Sequence, residues 1–476
     1  MAYGGRAQGF VYRHSPPPLR DLAATCYAAR TYPLKYGRHF REHMARLAEH
    51  ERLSNDELEG IQLRALKALL GHAAARVPYY RALFREQGFD PERVRGLADL
   101  ERVPLLTKDA VRRNASDLLS EGEEPARLVC IHTSGTTGTP LDLYQSRALF
   151  QKEYAFWWFH RSWAGVRRGC RTATLAGHPV VPAEQDRVPF WVRNRLENQM
   201  LFSSYHMSPG NLEHYCCALE RFRPELVHGY PSSIYLVALR LNDDGVRTVR
   251  PRAVFTSSET LLEHQRAEIE RAFGCKAYSY YGNAERAGYI GECERGSFHV
   301  MAEHSIAEFL NDDGAPVRPG EEGVLVCTNV DNLAMPLIRY VTGDVAVPLP
   351  AGERCPCGRG GRLVRSLVGR VEDYVVTPDG AHVGRLDHIL KGVRHVREAQ
   401  VYQPAVDRVV LKVSRDEGYS EADERTLLAN TRERLGTSMD IAFEYVDRVE
   451  RTAGGKFRFV VSDMPLNERL RVRRER

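Results

Sequence analysis

The chain has 476 residues, too many for one ordinary hydrophobic core and enough for two or more domains. Hydrophobic residues at 43% and charged residues at 27% give a soluble globular composition and exclude a disordered chain. A net charge of +5 over this length is too small to argue for a nucleic-acid partner, and the lack of any run of about 18 apolar residues argues against a membrane span.

The first twenty residues hold Arg6, Arg13 and three prolines from Pro16, without the apolar run of a secretory signal. The ten cysteines are mostly scattered and read as reduced thiols of a cytoplasmic protein. Residues 1–50 are aromatic and Arg-rich with weak periodicity, and the chain up to 125 reads as a mostly helical lead-in. Ser54-Asn55-Asp56-Glu57 spells a capping box, and Ile61, Leu66, Leu69 and Leu70 follow at helical spacing. That helix should stop before Pro78, and Thr107 should open a short one after Pro104.

From about 126 to 345, apolar strand-like runs alternate with helical ones. Leu128 to Ile131 reads as a buried strand, as do Thr172 to Leu175, Leu226 to His228, Ala253 to Phe255 and Val324 to Cys327. Helices are expected at 211–222 and 261–273, which together predict an α/β architecture with substantial parallel sheet. The character changes near 369. Strands at 399–402, 409–413 and 441–446 and a helix at 421–434 form a smaller α+β unit. The boundary is expected between Leu367 and Glu372, dividing the chain into 1–368 and 369–476. The basic run from Arg469 to Arg476 reads as a solvated tail.

The chemistry-bearing motifs also come in order. Thr133-Ser134-Gly135-Thr136-Thr137-Gly138-Thr139-Pro140 follows the strand at 128–131. Its glycines and hydroxyls suit a loop that offers N–H and O–H groups to phosphate, although such a composition also makes a plain linker; the Gly-Lys-Ser/Thr ending of a Walker loop is absent. Tyr280-Tyr281-Gly282-Asn283-Ala284-Glu285, Pro336-Leu337-Ile338-Arg339-Tyr340-Val341-Thr342-Gly343-Asp344, Gly369-Arg370-Val371-Glu372-Asp373 and Arg451-Thr452-Ala453-Gly454-Gly455-Lys456 follow.

In this order and with these gaps, the motifs between about 125 and 460 resemble the adenylate-forming superfamily of acyl-CoA synthetases, adenylation domains and luciferases. The Pro-Leu-Ile-Arg-Tyr run, Cys355-Pro356-Cys357-Gly358-Arg359 and Val103-Pro104-Leu105-Leu106-Thr107-Lys108 resemble more narrowly the phenylacetate–CoA ligases and their capsular-polysaccharide-biosynthesis relatives. Thr139 stands where phenylacetate–CoA ligases usually carry lysine, which points away from phenylacetate as the substrate. The resemblance implies a large multi-subdomain adenylation domain followed by a small mobile domain. It implies ATP and Mg²⁺, a small carboxylic acid, and activation through acyl-AMP with release of pyrophosphate. Transfer to CoA would follow; an amine or a separate carrier protein is the alternative acceptor, as in polysaccharide or natural-product assembly. A non-catalytic protein on the same scaffold is a third reading, against which the joint presence of Glu285, Asp344, Arg370 and Lys456 speaks.

Residue roles follow from the same resemblance. Thr133, Ser134, Thr136 and Thr137, with Gly135 and Gly138, would wrap the β- and γ-phosphates, and Glu285 would hold Mg²⁺. Asp344 would accept from the ribose hydroxyls, and Tyr281 and Gly282 would border adenine, with Ser257, Ser258 and Glu259 along the base edge. Arg370 would contact ribose or phosphate, Glu372 would be the hinge, and Lys456 would meet the acid and the α-phosphate. Tyr205, His206, His228, Gly229, Tyr230 and Pro231 are candidates for the acid pocket, though core packing accounts for aromatic residues there equally well. Trp157 to His160 reads as a buried helix face.

The pair Cys355 and Cys357 is too closely spaced to be read as a zinc site alone. Cys293 and His299 would complete a closed three-thiolate, one-imidazole set for structural zinc. The competing reading is four unrelated residues, two of them in an exposed turn.

Overall fold

The computed structural model describes residues 15–132, 141–177, 180–182, 184–311, 313–370, 374–378, 382–383, 386–390, 393, 395–452 and 455–464. Helices Pro17–Lys35, Arg38–His50, Asn55–Arg76 and Pro78–Glu86 form the lead-in. The third begins as its sequence directs. The Ser54 hydroxyl accepts from the Glu57 N–H, and the Glu57 carboxylate accepts from the Ser54 N–H at 2.8 Å. Thr107 caps the helix Lys108–Arg113 in the same manner, accepting from the Ala110 N–H.

The body is a twelve-stranded mixed sheet. Five parallel strands run side by side in the order Gln199–Ser203, Thr172–Ala176, Leu226–Gly229, Ala253–Thr256 and Ala277–Gly282. Trp191–Asn194 closes one edge antiparallel. Beyond Ala277–Gly282 the sheet turns antiparallel through Tyr289–Glu292, Phe298–Val300, Leu363–Arg370, Tyr340–Pro348, Gly323–Asn329 and Ser305–Leu310. Helices Leu212–Phe222, Pro231–Asp243 and Glu263–Phe273 pack one apolar core on the parallel part, including Tyr215, Ile234, Val237 and Phe273. Helix Arg147–Ser162 packs another, burying Phe156 and, of the expected run Trp157 to His160, Trp158, Phe159 and His160, with Trp157 partly buried.

One expected strand differs. Among the described residues, Val129–His132 pair only with Asp142–Gln145, as a two-stranded antiparallel ribbon outside the main sheet, and Cys130 is exposed. An apolar run of four residues fixes an extended backbone but not which face finds a partner, so burial there was not encoded locally.

The C-terminal part has its own four-stranded sheet, ordered Asp440–Tyr445, Arg408–Arg415, Val396–Ala405 and Val460–Ser462, with helix Glu421–Leu435 against it. Val401, Val409, Leu411 and Leu427 make its separate core. Among the described residues, no helix is long and apolar enough to cross a membrane.

Candidate active site

The carboxyl ends of parallel strands are where open α/β sheets bind ligands, because the loops diverge there and expose backbone N–H groups. Here five such ends form one rim: Ser203, Ala176, Gly229, Thr256 and Gly282. The loops leaving it carry Ser204-Tyr205-His206, Gly177, Tyr230-Pro231, Ser257-Ser258-Glu259 and Asn283 to Glu285. Close approach of two strands shapes the rim. A Cβ on Gly229 would lie 1.9 Å from the Leu175 carbonyl oxygen, so only glycine fits.

The pocket candidates meet on this rim. The Tyr205 hydroxyl donates to the Gly177 carbonyl at 3.3 Å, and the Tyr230 N–H donates to the Leu175 carbonyl at 2.9 Å. His206 stacks on Phe190 with centroids 5.1 Å apart, and its Nδ1 is 2.8 Å from the Ser203 hydroxyl. His228 lies parallel to Tyr280, its Nε2 3.2 Å from the tyrosine hydroxyl. Burial pushes the Tyr230 phenol up to about 12, so it acts as a neutral group.

The nucleotide candidates form a second group. The Tyr281 hydroxyl donates to the Asp344 carboxylate at 2.7 Å and accepts from the Asn283 amide at 3.2 Å. Burial and the adjacent Asp344 charge hold the Tyr281 phenol well above its ordinary range. Asp344 is set by a turn at Gly343, whose φ of 76° is in the left-handed region, and its N–H donates to the Thr342 hydroxyl at 3.1 Å. In the same antiparallel ladder Arg370 pairs in register with Asp344, so its backbone lies at this group. The Tyr340 hydroxyl donates to Glu285 at 3.0 Å, occupying one of about four lone-pair positions of that carboxylate. Such a hard, oxygen-rich ligand, on the loop beside Asp344's partner Tyr281, fits a magnesium ion. Thr133 to Gly138 and Glu372 lie outside the described residues.

The C-terminal part docks on the same rim. Arg448 donates to the carbonyls of Ser204 at 3.0 Å and Tyr205 at 3.3 Å. Thr452 is tied to the residues around Lys456, with the Gly455 N–H donating to the Thr452 carbonyl at 2.7 Å and the Lys456 N–H to the Thr452 hydroxyl at 3.1 Å. A Cβ on Gly455 would stand 2.9 Å from the Ser204 hydroxyl and 3.2 Å from the Gly177 Cα. The next N–H, that of Phe457, donates to Glu259 at 2.5 Å. Glu259 is therefore turned toward backbone donors at the junction of the two parts. Sequence reasoning missed Arg448, a lone arginine in a loop without a motif. Gly455 already stands in the run Arg451 to Lys456 that the sequence singles out.

A third group lies among the antiparallel strands, after Tyr289–Glu292, in Phe298–Val300 and in the loop before Leu363–Arg370. Cys293, His299, Cys355 and Cys357 are all buried, with ligand atoms within 4.8 Å of one another. The Cys293 and Cys355 sulfurs are 3.6 Å apart and the Cys357 sulfur is 3.4 Å from His299 Nε2. Two zinc–sulfur bonds at a tetrahedral angle place sulfurs roughly 3.8 Å apart, so the spacing fits zinc, whereas a disulfide needs about 2.05 Å. His299 Nδ1 is 3.1 Å from the Gly360 carbonyl, which orients Nε2 toward the cysteines as a ligand requires. The Arg359 N–H donates to the Cys357 sulfur at 3.4 Å, and the Arg359 guanidinium covers Trp163 at 4.5 Å. The four residues thus converge, and the reading of an exposed turn for Cys355 and Cys357 does not hold.

Comparisons with known proteins give consistent relatives. The family model described as the CapK C-terminal domain matches residues 375–463. The chain is 24% identical over 466 residues to protein CapK of Staphylococcus aureus, covering 96% of this chain and 99% of that one. It is 26% identical over 453 residues to a phenylacetate-coenzyme A ligase of Thermus thermophilus, covering 87% and 98% respectively. Among solved structures, 2-hydroxyisobutyryl-CoA ligase with 2-HIB-AMP in the postadenylation state matches with a TM-score of 0.68 at 19% identity, over 90% of this chain and 94% of that one.

Proposed function

We propose, for a chain whose homologues are CapK and the phenylacetate-CoA ligases and whose fold is that of the adenylate-forming CoA ligases, that it activates a carboxylic acid with ATP and passes the acyl group to CoA. The observation that carries this reading is the docking of Gly455 and Phe457, the neighbours of Lys456, on the rim of five parallel strands, the last of which carries Tyr281 bonded to Asp344 of the antiparallel part.

In the first half-reaction a carboxylate oxygen of the acid attacks the α-phosphorus of ATP, and the bond to the bridging oxygen of pyrophosphate breaks. Two anions meet as charge develops, and Lys456 supplies the cation between them. Asp344 accepts from ribose hydroxyls, and the Tyr281 phenol, already bonded to it, fixes the carboxylate's orientation and borders the base. Glu285 would hold Mg²⁺, which when bound neutralises phosphate charge. Gly135, Thr136 and their neighbours take the outer phosphates, and Arg370 takes ribose or phosphate. Tyr205, His206, His228 and Tyr230 line the acid. In the second half-reaction the CoA sulfur attacks the acyl carbonyl carbon and the bond to AMP breaks. A rotation about Glu372 would exchange Lys456 for the acceptor's face between the two. Zinc on Cys293, His299, Cys355 and Cys357 would have a structural task, because four protein ligands leave no open position.

Products weighed after incubation with an acid panel, ATP, magnesium and CoA should include the acyl-CoA. Amide or acylated carrier protein formed in preference to acyl-CoA would contradict the acceptor assignment. Asp344→Ala should weaken ATP binding about 10- to 100-fold, the scale of a lost hydrogen bond to a charged group; unchanged affinity by calorimetry would remove its role. Gly455→Ala combines a φ of 72° with the close approach to Gly177. It should slow acyl-AMP formation about tenfold or more, from a left-handed penalty of roughly 1–2 kcal/mol, with the melting temperature nearly unchanged. A variant as fast as the parent would show that the turn does not dock during that step.

A further inference from the structure

Glu259 has surroundings that nucleotide contact at the base edge does not explain. The preceding residue, Ser258, is a non-glycine at φ 71°, a conformation that costs free energy and that recurs at sites where geometry matters more than stability. That turn brings the Glu259 side chain back across the rim. One carboxylate oxygen accepts from the Ser232 N–H at 3.1 Å, in the first turn of helix Pro231–Asp243, where a negative charge is favoured. The other accepts from the Phe457 N–H at 2.5 Å, directly after Lys456. A single carboxylate thus joins the wall that carries Tyr230 and Pro231 to the turn that carries Lys456. Arg451, which precedes that turn, is itself held by an ion pair to Glu398 and lies over the Phe457 ring at 4.8 Å. The turn is therefore braced from both sides.

We infer that Glu259 is a positioning residue that latches the Lys456 turn onto the acid-binding wall for acyl-AMP formation and releases it for transfer. The inference rests on the ligase reading above. Its physical basis is an acceptor count. An ionised carboxylate can accept two backbone N–H groups at once, one on each oxygen. When the small domain departs, the Phe457 partner is lost and the Ser232 partner stays, so the latch favours the docked arrangement without making it permanent. Bonds to a charged group are worth enough to shift such a two-state balance by a factor of about ten or more.

The test is Glu259→Gln, which keeps the shape but leaves one oxygen for two N–H donors, with Glu259→Asp as a second variant that keeps the charge and shortens the reach. Both should reduce acid-dependent pyrophosphate exchange about tenfold or more. Acyl transfer from supplied acyl-AMP to CoA should stay unchanged or rise. Hydrogen exchange read in the same proteins without substrates should show the Phe457 amide opening about tenfold faster. An equal fall in both half-reactions, or no change in either, would overturn the latch and leave Glu259 a simple helix-end partner. An unchanged Phe457 amide would overturn it as well, whatever the kinetics. A parent enzyme without any pyrophosphate exchange would instead count against the ligase reading, and the amide measurement would still decide the latch.

Discussion

Lys456→Ala is expected to remove acyl-AMP formation, by about 10²- to 10³-fold, the scale of losing one preorganised charge-stabilising group. Acyl transfer from supplied acyl-AMP to CoA should keep most of its rate. The asymmetry follows from the chemistry. Only the first step brings a carboxylate against a phosphate, so only that step needs a cation between them. The turn that carries the lysine is seated by Gly455, Arg448 and Glu259 on the strand rim. The contacts made by Gly455, Arg448 and the Phe457 N–H do not involve that side chain, so they should persist in the variant. Single-turnover measurement of each half-reaction checks the expectation. Equal losses in both would place Lys456 outside the adenylation chemistry.

Cys357→Ser is expected to lower zinc content well below one equivalent and to destabilise the protein. Where a site is assembled by folding, metal affinity becomes folding free energy, of order 10 kcal/mol in small zinc domains. Even a third of that would lower the melting temperature of a domain this large by about 4 °C. The effect should spread beyond the four ligands. Arg52 donates to the Cys357 carbonyl at 2.9 Å and the Gly361 N–H donates to Asn55 at 2.9 Å, so the Cys-Pro-Cys loop also ties the helical lead-in to the sheet. Elemental analysis of protein purified without chelator, with thermal unfolding before and after chelation, gives two readouts independent of activity. Zinc-free protein with an unaltered melting temperature would remove the metal from the account.

Local signals were the legible part of this fold. The Ser54–Glu57 capping box and the Thr107 cap fix helix starts through contacts within four residues, and both appear as written. The alternation of apolar and helical runs conveyed the parallel strands Thr172–Ala176, Leu226–Gly229 and Ala253–Thr256, which are buried and read as continuous apolar stretches, but not Gln199–Ser203 and Ala277–Gly282, whose polar and aromatic residues hide the pattern. Contacts between distant segments were less legible. Helix Pro17–Lys35 buries only Arg20, Ala24 and Ala28 while Leu19 and Leu22 are exposed, so its periodicity is faint; helix Arg38–His50 buries Phe40, His43 and Leu47 along one face, a pattern interrupted by its many charged residues. The antiparallel half of the sheet was underweighted for a related reason: burial of Ile306, Leu325 and Val345 does not state strand direction.

The candidate site divides in the same way. Asp344, Tyr281 and Glu285 stand in conspicuous runs, and the fold brings Asp344 to Tyr281 and Glu285 to Tyr340. Cys293 and His299 lie about 60 residues from Cys355 and Cys357, and only a family pattern could pair them before the strands Tyr289–Glu292 and Phe298–Val300 were seen to meet that loop. The bridge from Glu259 to Phe457 spans 198 residues and uses a backbone donor, which leaves no mark in side-chain identity.

The most direct test of the account is exchange of labelled pyrophosphate into ATP by the purified protein, with magnesium and a broad panel of carboxylic acids. Label should enter ATP only when an accepted acid is present, because exchange requires reversible formation of acyl-AMP. No exchange with any acid in the panel, or cleavage of ATP to ADP and phosphate instead, would contradict the account.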